Sequence, residues 1–86
     1  LMPGLAEMHA HVPGPQLAQY AEDVLLLFAA HGVTTLRGML GHPWHLELRE
    51  SLASGRVLGP RLYTSGPSLN GNSAPDVETA VSMVRE

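Results

Sequence analysis

The residues best suited to chemistry stand near the N-terminus, in Pro3-Gly4-Leu5-Ala6-Glu7-Met8-His9-Ala10-His11. This stretch reads as a short buried strand ending in His-x-His. Side chains alternate along a strand, so His9 and His11 are expected on one face, with Glu7 and Leu5 behind them. Two positions along a strand span roughly 6.6 Å, which lets two imidazoles converge on one ion at Zn–N distances of about 2.0–2.1 Å. The chain has no cysteine, so a metal here must take nitrogen and oxygen donors. The other parity, Met8, Ala10 and Val12, is apolar or small and suits packing against helices. Such a strand fits the inside of an α/β barrel better than an ordinary surface. A bare His-x-His is a weak motif, and the same two residues also serve as core or capping histidines without metal.

The elements that must position this pair follow from periodicity. After the Pro13-Gly14-Pro15 break, Leu17, Tyr20, Ala21, Val24, Leu27 and Phe28 recur at helical spacing, opposite Gln16, Gln19, Glu22 and Asp23. The helix is expected to end at His31, with Gly32 as its left-handed cap and His31 placed to interact with the helix dipole. Val33 to Met39 is rich in β-branched residues and reads as a second strand. Gly41-His42-Pro43 forms a turn, and a helix is expected over Trp44–Ser54, closed by Gly55. Arg61 to Ser65 reads as a third strand, stopped by Gly66-Pro67 and followed by a polar, turn-rich loop, Ser68–Ser73. A last helix is expected from Pro75 as its first position, with Asp76 and Glu78 in the first turn and Val77, Ala80, Val81 and Val84 as its apolar stripe.

The order is therefore strand and helix, three times over. Each unit has about 28 residues, close to a barrel of roughly 250 residues divided by eight. The expected fold is α/β, a partial (β/α)8 TIM barrel comprising the first three βα units with parallel strands. In a barrel the loops after the strands build the site. His42 and His45, after the second strand, are thus candidate substrate contacts, although packing beside Trp44 explains them as simply. Asn70, after the third, is either a turn former or a residue lining the mouth of the site.

The Pro-Gly lead-in, the acidic residue before His-x-His and the proline/glycine break after it together resemble the opening strand of the metal-dependent amidohydrolase superfamily. The imidazolonepropionase/dipeptidase branch is the most similar. Gly32-Val33-Thr34-Thr35 likewise resembles that family's second strand, with Gly38 where members often carry an acidic or amide residue. The resemblance implies that His9 and His11 are metal ligands, most simply for zinc. It further implies a metal-activated water attacking the carbonyl of an amide, lactam or dipeptide. Glu7 stands where the family has Asp, and its carboxylate would support a ligand through a hydrogen bond. The general base is expected on later strands, outside this chain, so no catalytic residue is assigned here. Residues 1–86 are accordingly expected to be the N-terminal segment of a barrel, incomplete at both ends, because the chain opens on Leu1 and stops at Glu86 within a helical pattern. Its expected partners are a small amide or peptide substrate and the rest of the barrel, and the isolated chain is expected to be inactive. Compartment is left open, the natural N-terminus being expected to be missing.

Two alternatives stand beside this reading. One is a noncatalytic βα module that binds metal weakly through His9 and His11. The other is a metal phosphoesterase or TatD-like nuclease, which also opens with His-x-His but matches the Pro-Gly-Leu and Gly-Val-Thr-Thr segments less well. Composition weighs against nucleic acid: the formal charge is −3, with 5 Lys and Arg residues and no basic cluster. A membrane partner is equally unexpected, since the longest apolar run, Val24 to Ala30, is far short of a span.

Overall fold

A computed structural model describes residues 1–85. Glu86, at which the sequence stops within a helical pattern, lies outside the described residues. Strand β1 spans Leu5–Ala10, a 3-10 turn covers Pro15–Leu17, and helix α1 spans Ala18–Ala30. Strand β2 (Val33–Gly38), helix α2 (Trp44–Ala53), strand β3 (Arg61–Thr64) and helix α3 (Val77–Arg85) complete the chain. The strands form one parallel sheet in the order β1-β2-β3. No helix of the described residues is long and apolar enough to cross a membrane.

The core lies between one face of the sheet and helices α1 and α2. Ala10, Leu36 and Leu62, one from each strand, pack with Ala21 and Leu25 of α1, Leu48 of α2 and Val12 just past β1. Leu25 and Leu36 are fully buried. Helix α1 presents Ala21 and Leu25 to the sheet, whereas Leu17, Tyr20 and Leu27 of the expected stripe are exposed. The reason is local: Val24 to Ala30 is apolar throughout, so periodicity leaves the helix phase open and packing sets it. Its end follows the expected chemistry. Gly32 adopts φ +84°, and the His31 ring Nδ1 lies 2.8 Å from the Leu27 carbonyl oxygen, which also accepts the His31 backbone N–H at 3.1 Å.

Two expectations are corrected. Strand β1 is exposed from Leu5 to His9, not buried, because among the described residues its outer edge has no strand neighbour and its second face is open. Helix α3 begins at Val77, after Asp76, rather than at Pro75. The Asp76 side-chain Oδ1 accepts the Thr79 N–H at 2.7 Å, and its carbonyl accepts the Ala80 N–H at 3.1 Å, which makes Asp76 the N-cap. No residue of α3 is buried, and its valines Val77, Val81 and Val84 face solvent. The third βα unit therefore lacks the packing that the first two have.

Candidate metal centre

The pair sits where β1 leaves the sheet. Glu7 pairs with Leu36 and Ala10 with Gly38, so β1 spends one residue more than β2 over the same stretch. This bulge breaks strict alternation. Glu7 is set level with the core-facing Leu36, Met8 lines the open face beside Arg37 and Tyr63, and Ala10 returns to the core. The expectation that Glu7 shares a face with His9 is thus corrected by the extra residue. Its carboxylate accepts the backbone N–H of His9 at 2.9 Å, holding a donor at the irregularity.

His9 and His11 are brought together. Their ring centroids are 5.2 Å apart, with the planes at 80°. Two imidazoles on one tetrahedral zinc, with Zn–N of about 2.0–2.1 Å and ring centres roughly 1.1 Å behind the nitrogens, have centres about 5 Å apart, so the spacing fits a shared ion. The His11 Nδ1 lies 3.3 Å from the Met39 carbonyl oxygen. A carbonyl only accepts, so this bond places the proton on Nδ1 and leaves Nε2 as a lone-pair donor, the arrangement typical of metal-binding histidines. The ring of His9 makes no hydrogen bond among the described residues. Both line a cleft of about 530 Å³ with Met39, Leu40 and the segment Ser65–Ser68. A second cleft of about 480 Å³, over Met8, Arg37 and Tyr63, meets the first at Ser65. No group of three or more His, Cys, Asp or Glu side chains among the described residues is placed to hold a metal ion. The pair matches a divalent cation in donor type and spacing, and offers two nitrogen donors.

The loop residues fall elsewhere. His42 is exposed, and its Nδ1 accepts the Trp44 N–H at 3.1 Å, capping α2 where Ser or Asp would be usual. It lines a separate cleft with Pro43, Leu46, Leu69 and Met83. His45 is 3% exposed, and both of its ring nitrogens are engaged by backbone groups. Asn70 folds its own loop: its Oδ1 accepts the Asn72 and Ser73 N–H groups at 2.9 and 3.1 Å. Neither His42, His45 nor Asn70 lines the cleft of the histidine pair.

Sequence reasoning missed the contacts that hold the site's floor. The Met39 N–H donates to the Ala10 carbonyl at 2.7 Å, the Ser65 N–H to Gly38 at 3.2 Å, and the Gly41 N–H to Gly66 at 3.1 Å. Gly41 also donates to the Ser65 hydroxyl, and a Cβ at Gly41 would collide with the Ser65 carbonyl. Backbone carbonyls carry no residue-specific signal, so only Gly41 and Ser65 left a trace in the sequence.

No family model matches the chain, and no curated protein matches it. Among solved structures, the crystal structure of an amidohydrolase superposes with a TM-score of 0.67 at 28% identity, over 78% of this chain. This chain spans 19% of that protein's length. With its parallel α/β sheet, the chain is thus similar to one part of an amidohydrolase, a likeness that supports the amidohydrolase superfamily.

Proposed function

We propose that the chain is the metal-binding opening segment of a (β/α)8-barrel hydrolase that cleaves C–N bonds in a small amide, lactam or dipeptide. The observation that carries this reading is the convergence of His9 and His11 at the C-terminal end of β1, in a chain 28% identical to an amidohydrolase. Within that reading His9 and His11 hold the ion, zinc by their donor chemistry, and the Met39 carbonyl keeps His11 in the Nε2-donating form. A bound divalent ion supplies Lewis-acid polarisation of the scissile carbonyl. The cleft bounded by Leu40 and Ser65–Ser68 receives the substrate beside the pair. The imidazolonepropionase/dipeptidase branch is the branch we favour, on the Pro-Gly-Leu and Gly-Val-Thr-Thr segments.

A second reading has its own observation. Two ligands are too few for a defined zinc site, so the chain by itself behaves as a noncatalytic βα module with little or no turnover. Zinc titration calorimetry on the chain, with the His9→Ala/His11→Ala double variant beside it, tests the shared premise. Stoichiometric binding that the double variant loses supports the assignment. Binding that the double variant retains in full overturns it.

A further inference from the structure

We infer that His45 is a positioning residue for the metal-binding pair, a latch that fixes the loop leaving β1 to the start of α2. The consequence for metal rests on the function proposed above, while the latch itself rests on geometry alone. His45 is the one buried polar side chain among the described residues. Its Nδ1 accepts the backbone N–H of His42 at 3.0 Å, and its own N–H donates to the His42 carbonyl at 2.8 Å. This reciprocal pair resembles a capping box closed by an imidazole. Because a backbone N–H can only donate, Nδ1 is the acceptor and Nε2 carries the proton. That Nε2–H donates to the Pro13 carbonyl at 3.0 Å, across 32 residues of sequence.

Pro13 lies two residues beyond His11. Between them Val12 is buried in the core, so the backbone from Ala10 to Pro13 is held by the Met39–Ala10 bond at one end and by His45 at the other. The His11 ring stands on this short span, and its bond to the Met39 carbonyl requires the span to lie against the β2 exit. His45 touches neither a metal nor a substrate. It acts by fixing where His11 stands relative to His9. Changes in groups that orient metal ligands commonly cost 10–100-fold in metal affinity, because convergence is lost while the ligands stay present.

The test uses the 86-residue chain with His45→Phe, which fills the volume without the bonds, and His45→Gln, which has one acceptor and one donor at the end of its side chain. Zinc affinity is measured by calorimetry, and NMR follows the His11 amide and ring nitrogens and the Pro13 carbonyl carbon. With all chains folded by circular dichroism, His45→Phe is expected to weaken zinc binding at least ~10-fold and to shift the His11 and Pro13 signals, with His45→Gln restoring both in large part. A folded His45→Phe chain with wild-type affinity and unmoved His11 and Pro13 signals overturns the latch. If the wild-type chain binds no zinc, the metal assignment fails by itself, and the His11 and Pro13 shifts still decide the latch. Should His45→Phe not fold, His45→Asn replaces it: one bond shorter than Gln, it cannot span both partners, and equal affinities for the Asn and Gln chains overturn the inference.

Discussion

Two pairs of histidines stand at the same end of the sheet, and the backbone beneath them gives them opposite fates. His9 and His11 lie 5.2 Å apart by ring centroid, His42 and His45 6.3 Å. The first pair sits on a strand exit, where the Glu7 carboxylate takes the His9 N–H and the Met39 carbonyl engages only the His11 Nδ1, so each ring keeps a nitrogen for a ligand. The second pair sits at a helix start, where the first N–H groups have no intrahelical partner. There the Nδ1 of His42 and of His45 are consumed as acceptors by Trp44 and His42 N–H groups. Whether the Nδ1 of a histidine is spent on a backbone N–H follows what the local backbone lacks.

The largest expected effect contrasts the pairs directly. His45→Ala leaves the Pro13 carbonyl and the His42 N–H without their partner and opens a hole beside Trp44, a loss of about 2–4 kcal/mol. The His9→Ala/His11→Ala double variant removes two exposed rings and should cost under about 1 kcal/mol. Urea denaturation of both chains checks this, and equal losses would break the comparison. A middle effect separates the members of the second pair: His42→Ala should cost about 1 kcal/mol through loss of the cap. His42→Ser should recover most of it, because the position needs only an acceptor, and a Ser chain as unstable as the Ala chain would show that the imidazole does something more. The smallest effect extends the contrast to the carboxylate cap of α3. The backbone and side-chain hydrogen bonds of Thr79 hold the Asp76 carboxyl below its usual 3.8. Its stabilisation is therefore complete above pH 3.8 and lost as pH falls through the lower folded value. Amide exchange at Thr79 and Ala80 should rise only in that acid window, and an increase near neutrality would contradict the assignment. Because Asp76 is fully exposed, the change is local fraying rather than loss of the fold.

Much of the frame is legible in the sequence itself. Gly32 and Gly55 both take the positive φ expected of helix-ending glycines, and the three strands fall where β-branched runs and proline/glycine breaks put them. The proximity of His9 and His11 was legible too, since two residues at one-residue separation cannot be far apart. What Glu7 does was not legible, because a bulge depends on how two strands register and leaves no mark in Glu7-Met8-His9 itself. The burial of His45 was hidden for a similar reason: it depends on a carbonyl 32 residues earlier. Leu40, held at φ 53° on the rim of the cleft, also gave no sign, since leucine is a poor choice for that conformation.

The amino-acid order alone determined the sequence of strands and helices, the glycine-marked ends of α1 and α2, and the presence of two imidazoles at one strand end. These follow from short-range sterics, hydrophobic period and chain connectivity, all of which act within a few residues. Tertiary structure decided which face α1 buries, that α3 has no buried residue, and which ring nitrogens are already bonded. The first two outcomes turn on side-chain packing between elements, and the third on contacts between groups far apart in the chain, such as Pro13 with His45 and Met39 with His11. A residue type states what bonds a side chain can make, and only the assembled backbone determines which of them are already taken.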